Sequence, residues 1–173
     1  MKSPLLGPPA GEKVEFYSPE SYDLRESLGF LLRENSRMAV QLAEVSFSDG
    51  GLAFAQWLSL FLLSKGMIAH ISDLSRALRM SSGGVTRLVD QLERRGLVER
   101  QRSSRDRRTI KLALTAVGKE AAQQSLPRLL LMWNDVLDDL GHDDARQLIH
   151  LLIRLSSKLR KRLGPAQPDD FTD

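Results

Sequence analysis

The chain has 173 residues, enough for one ordinary domain with a helical extension or for two small domains. Its 42% hydrophobic and 27% charged residues exclude wholesale disorder, and the absence of cysteine excludes disulfides, thiolate metal sites and cysteine nucleophiles. A net charge of +3 does not by itself select a nucleic-acid partner, so the placement of the 25 basic residues decides.

No apolar run reaches the roughly 18 residues that span a bilayer. Residues 1–10 hold three prolines and one lysine and lack the apolar core of a signal peptide. A cytoplasmic protein with no membrane partner is expected. Residues 1–17, rich in Pro and Gly, read as a flexible arm. Ser18-Pro19-Glu20 has the form of a helix start, with a hydroxyl cap, a first-turn proline and an acid at the positive helix end. Leu24, Leu28, Leu31, Asn35, Met38, Leu42 and Val45 then recur at steps of three and four, which predicts one long helix over 18–46. An Asn in such a stripe sets register against a partner helix or is simply solvated.

Ser48-Asp49-Gly50-Gly51 breaks that helix. Residues 52–64 are apolar almost all round and predict a buried helix that ends at Lys65-Gly66. His70 to Leu78 predicts a short helix with Ile71, Leu74 and Leu78 on one face. Ser81 opens another, with Val85, Leu88, Val89 and Leu92 inward and Gly96 at its end. Residues 97–100 and the alternation of Ile110, Leu112 and Leu114 predict two strands around a polar loop, Gln101 to Arg108. Thr115 caps a further helix. Pro127 lies within it, and a helix-interior proline costs roughly 3 kcal/mol, so a kink or two separate helices are expected. Leu126, Leu130, Trp133, Leu137 and Leu140 form a second stripe. Beyond Gly141, Leu148, Leu151, Leu152, Leu155 and Leu159 form a third. Residues 164–173, with two prolines and three aspartates, read as a flexible tail.

Three short helices followed by a hairpin make a winged helix-turn-helix. The flanking helices are too rich in leucine for solvated spacers, and a dimer interface is their simplest use. Within the winged segment, Ser81, Ser82, Gly83 and Gly84 let a helix end approach a phosphate or base edge closely. Thr86 and Arg87 lie in the first two turns, where Arg can bond both O6 and N7 of guanine. The competing reading is a crowding-tolerant turn beside a solvated arginine. Arg100, Arg102, Arg105, Arg107, Arg108 and Lys111, offset only by Asp106, shift the balance toward DNA. Guanidinium suits a narrow minor groove because it is weakly hydrated.

Asp73-Leu74-Ser75-Arg76-Ala77-Leu78, the run from Val85 to Arg100, Asp106-Arg107-Arg108 and Leu114-Thr115 before Gly118-Lys119 together resemble the MarR family of bacterial transcriptional regulators. The resemblance covers roughly 55 residues, and the spacing between helix and wing motifs makes it specific. It implies a homodimer on a near-palindromic operator, usually a repressor released by a small ligand. It also implies that Asp106 orients Arg108 into the minor groove, leaving Arg107 toward phosphate or solvent.

Other constellations are weaker. His70, His142 and His150 match no compact metal-ligand spacing, so no metal is assigned, and His70 reads as an imperfect helix cap above Asp73. Asp138-Asp139 and Asp143-Asp144 flank a helix boundary without a nucleophile or phosphate loop, so no enzyme and no cofactor are expected. Arg33, Arg37, Trp57, His70 and Trp133 are the candidate contacts for an aromatic or anionic organic effector.

The expected fold is mainly α: a winged helix-turn-helix domain (47–115) with a helical dimerisation region formed by an N-terminal helix (18–46) and C-terminal helices (116–163). The expected function is sequence-specific, ligand-responsive regulation of transcription, as a homodimeric repressor on double-stranded DNA. The DNA contacts are Ser81, Ser82, Gly84, Thr86, Arg87, Arg105, Asp106, Arg107 and Arg108. The alternatives are a winged protein–protein interaction module, or an activator that needs no effector.

Overall fold

The computed structural model describes residues 15–102 and 110–164. The element order is α1 (Leu28–Ser46), α2 (Phe54–Ser64), α3 (Ile71–Leu78), α4 (Ser82–Arg94), β1 (Val98–Arg102), β2 (Ile110–Leu114), α5 (Ala116–Leu140) and α6 (His142–Leu163). The chain divides within α1 into two compact units, residues 1–40 and 41–173.

In the first unit the long helix begins ten residues later than Ser18-Pro19-Glu20 suggests. Ser18 heads only an isolated turn, its carbonyl accepting from the Ser21 N–H at 3.2 Å. The Asp23 carboxylate then caps a 3-10 turn, Leu24–Glu26, by accepting from the Arg25 N–H at 2.8 Å. The Ser27 hydroxyl is donated to Leu24 O, and the Tyr17 hydroxyl oxygen accepts from the Leu28 N–H at 2.9 Å. These side chains satisfy the free N–H groups at the true helix start. Leu28, Leu31 and Met38 of the predicted stripe are exposed. Asn35 donates to Leu31 O within its own helix.

In the second unit α2 is the centre of the core. Trp57 and Leu60 are fully buried, and Phe47, Phe54 and Phe61 pack around the Trp57 ring at centroid distances of 5.0, 5.9 and 5.1 Å. The Trp57 indole N–H donates to Ala122 O at 2.9 Å, which fastens α5 to α2. Leu74 from α3, Val85, Val89 and Leu92 from α4, and Leu112 from β2 complete the same cluster.

The hairpin is antiparallel, pairing Val98 with Leu114 and Arg100 with Leu112. A third edge was not legible as a strand: the Leu112 N–H donates to Ala69 O at 2.8 Å and His70 bridges Lys111. The wing therefore hangs from the segment that leads into α3.

Thr115 caps α5 as its position suggests, accepting from the Gly118 N–H at 2.9 Å. The helix then runs unbroken through Pro127, so the division into two helices does not occur. Pro127 is exposed, as is Gln123, four residues before it, whose carbonyl loses its intrahelical partner. Water reaches that face, while Ala122, Leu126, Leu129 and Met132 hold the opposite face by packing. Gly141, at φ 86°, separates α5 from α6. Acids at 143–144 and bases at 160–162 match the two ends of the α6 dipole.

Much of α5 and α6 stays uncovered. Leu130, Leu131, Val136, Leu148, Ile149, Leu151, Leu152 and Ile153 are all exposed. Among the described residues no helix is long and apolar enough to cross a membrane.

Candidate nucleic-acid interface

The helix pair α3–α4 is shaped by its caps. The Asp73 carboxylate accepts from the His70 N–H at 2.7 Å and the Ala69 N–H at 3.0 Å, and pairs with Arg76 at 2.8 Å. Partial burial pushes its carboxyl upward, but the two backbone donors and Arg76 outweigh this and hold it below the ordinary carboxylate value. His70 itself supplies only half of a capping box, because its Nδ1 is buried without a hydrogen-bond partner. At the other end of α3, Arg79 takes the left-handed conformation (φ 51°, ψ 39°) that helix stops usually give to glycine. The Ser75 hydroxyl donates to Met80 O at 2.7 Å and the Met80 N–H donates to Ser75 O, so this turn is closed from both sides.

The Ser81 hydroxyl then accepts from the Gly84 N–H at 3.2 Å and starts α4. One face of α4 is core, with Val85, Val89 and Leu92 at 0% exposure. Its N-terminal end presents Ser81, Ser82 and Gly83, and Thr86 and Arg87 project away from the core face, all five exposed. Thr86 turns its hydroxyl back to donate to Ser82 O at 2.9 Å. A Cβ on Gly84 would meet Met80 Cε and Ser81 Oγ at 3.3 Å, so Gly84 serves close packing of the turn. Gly83 has open space around its Cα, so nothing in the described residues limits close approach there. A helix end with small side chains and an exposed cation is suited to phosphate and base edges.

The wing grows from the end of this helix. Arg100 on β1 bonds Asp90 through Nη2 and Glu93 through Nη1, each at 2.5 Å. Burial alone would lower the guanidinium pKa, but the two carboxylates outweigh it and raise it above the ordinary value. Arg100 is therefore committed to α4, which corrects its inclusion in the free basic cluster of the wing. Arg105, Asp106, Arg107 and Arg108 lie outside the described residues.

The candidate effector contacts fall in both units: Arg33 and Arg37 in the first, and Trp57, His70 and Trp133 in the second. Arg33 and Arg37 both pair with Glu34, at 3.4 and 2.9 Å, and Arg33 also lies over the Phe30 ring. Trp57 is a core side chain with its only polar atom bonded to Ala122, which corrects its assignment as a ligand contact. Among the described residues no hydrogen bond or ring contact joins His70 to Trp133 or either of them to Trp57. The structure also carries a concave feature that the sequence does not single out. An open groove of about 370 Å³ is lined by Leu42 and Ser46 from the end of α1 and by Arg128, Leu131, Met132, Asp135 and Val136 from α5. Arg128 is half-buried against Gly50 and has no ion-pair partner among the described residues. No sequence signal singles out Arg128 from other helix-surface arginines.

No group of three or more metal-ligating side chains converges among the described residues. The MarR family model matches residues 54–110, which run from the start of α2 to the start of β2. The chain is 26% identical over 143 residues to the transcriptional activatory protein BadR of Rhodopseudomonas palustris, covering 80% of this chain and 82% of that relative. It is 36% identical over 88 residues to the transcriptional repressor MprA of Escherichia coli, covering 51% of this chain and about half, 50%, of that relative's length. The crystal structure of apo wild-type MarR from E. coli superposes with a TM-score of 0.67 at 24% identity, covering 75% of this chain and 96% of the other.

Proposed function

Because the chain belongs to the MarR family of transcriptional regulators, we propose that it acts as a homodimeric, effector-responsive repressor on a near-palindromic operator. It is a regulator rather than an enzyme, as its relatives are. One observation carries the DNA reading: α4 has a face fixed in the core by Val85, Val89 and Leu92, while Ser81, Ser82 and Gly83 at its start and Thr86 and Arg87 beside them are exposed. A solvated helix in a purely structural role has no need of Gly83, where a Cβ would meet nothing and glycine only lowers helix stability. In this reading Ser81, Ser82 and Gly84 bring the helix end to a phosphate, while Thr86 and Arg87 meet base edges. Arg105, Arg107 and Arg108 supply the wing, with Asp106 orienting Arg108.

Arg87→Ala is expected to weaken operator binding by about 1–3 kcal/mol and to relax preference at particular base pairs. Arg108→Ala is expected to weaken binding most at operators with A·T-rich flanks, where a narrow minor groove carries enhanced negative potential. Competition assays with single-base operator variants at fixed salt separate the two. Equal losses at every position for Arg87→Ala would reduce that residue to a phosphate contact.

The effector reading rests on the groove beside Arg128. A guanidinium with no ion-pair partner among the described residues, Asp135 two turns on and apolar residues between suit a small carboxylic acid that carries a hydrogen-bond donor at its far end. A panel of aromatic carboxylic acids should release the protein from operator DNA, and Arg128→Gln should abolish the release without weakening DNA binding. Release that survives Arg128→Gln would place the effector elsewhere.

A further inference from the structure

The wing and the recognition helix touch DNA in different grooves on the reading above, and something must hold them at a fixed relative angle. Arg100 is placed to do so. The pleat of β1 points Val98 and Arg100 to the same side, and Val98 is buried while Arg100 pairs in register with the buried Leu112. Arg100 thus faces inward, its side chain only 24% exposed, rather than outward toward a ligand. There it meets Asp90 and Glu93, which stand three residues apart on one face of α4. Each guanidinium arm takes one carboxylate, at 2.5 Å, and the Arg100 N–H also donates to Glu93 Oε1 at 3.3 Å. Side chain and main chain of one strand residue are thereby tied to the last two turns of α4. The other end of the β1 entry is held by Thr115, whose hydroxyl donates to Gly96 O at 2.7 Å. Lysine cannot reproduce this fork, because its single ammonium lacks two parallel donor arms.

We infer that Arg100 is a positioning residue that locks the wing to the recognition helix through Asp90 and Glu93, so that the two DNA-contacting elements bind as one rigid unit. It touches no DNA itself. The inference rests on the DNA-binding reading. It assigns Asp90 and Glu93, two acids beside a polyanion, a favourable role that their charge alone would not predict. A phosphate-contacting arginine behaves differently: its removal lowers the slope of log affinity against log salt by about 0.9.

The test uses the full chain and a duplex enriched by it from a random pool. Wild type, Arg100→Gln, Arg100→Lys, the pair Asp90→Asn with Glu93→Gln, and the triple variant are titrated over a range of salt. Arg100→Gln is expected to bind about tenfold more weakly with an unchanged salt slope, and Arg100→Lys to lie between it and wild type. The paired acid variant should also bind more weakly, although it removes two negative charges, and the triple should be no weaker than the pair. Hydroxyl-radical footprints should lose the wing contact and keep the recognition-helix contact. A reduced salt slope for Arg100→Gln, unchanged affinity, or tighter binding by the acid pair would overturn the lock. If Arg100→Gln fails to fold, the acid pair decides, since Asp90 and Glu93 are 45% and 40% exposed and their amides keep the same shape. A wild-type chain that enriches no duplex overturns the DNA reading itself, whereas an enriched duplex bound normally by Arg100→Gln overturns only the lock.

Discussion

Gly118→Ala is expected to lower stability by about 3 kcal/mol, with a fall in the thermal midpoint of roughly 6–12 °C. Gly118 stands in the first turn of α5, where that helix leaves the wing. A Cβ there would lie 1.9 Å from Leu97 O and 2.9 Å from Leu97 C, both backbone atoms. Neither can swing aside as a side-chain tip can. Leu97 O already accepts from the Thr115 N–H at 3.2 Å and from the Thr115 hydroxyl at 3.1 Å, so moving it would also loosen the cap of α5. Leu97 itself is buried, and its displacement would spread into the core. Calorimetry of the variant measures the effect. A midpoint within 2 °C of wild type would mean that the helix–wing junction relaxes far more easily than its packing indicates.

The second large effect concerns assembly. Leu148 and Leu152 lie one turn apart on α6 and are 44% and 40% exposed. Replacing both with Glu adds charge to a surface that this chain leaves open, so the fold of the single chain should survive. In a two-fold dimer each substitution appears twice in the interface. One uncompensated buried charge costs about 3 kcal/mol or more, so dimerisation should weaken by at least about a hundredfold. Operator affinity should collapse with it, because two half-sites would no longer be held together. Sedimentation and operator titration of the same sample check both. A variant that remains dimeric would move the interface away from this face of α6.

Local sequence signals located the elements wherever one cap or one period acts alone. Ser81 and Thr115 start helices where their hydroxyls suggest, and the alternation of Ile110, Leu112 and Leu114 gives β2 its bounds. The signal fails where two local signals compete. Ser18-Pro19-Glu20 has every feature of a helix start, yet Asp23 and Ser27 farther along satisfy more backbone groups and take over that role. Pro127 shows the reverse case, a local breaker overridden by packing on the opposite face. Nor can spacing alone distinguish the arginines. Arg87, Arg100 and Arg128 are alike in composition, but one is solvated, one is bound to two acids and one lines a groove. Their differences arise from contacts across 7 to 10 residues for Arg100 and across roughly 80 for Arg128, which no periodicity records.

The central claim is that α4 and the wing read a specific duplex as a two-fold unit. Selection from a random duplex pool by the full-length chain, followed by titration of the enriched sequence, tests it most directly. The enriched sequences should carry inverted half-sites with centres about 10 base pairs or a small multiple apart, bound at least about 1,000-fold more tightly than random duplex at the same salt. A pool that emerges unenriched, with affinity independent of sequence, would contradict the claim.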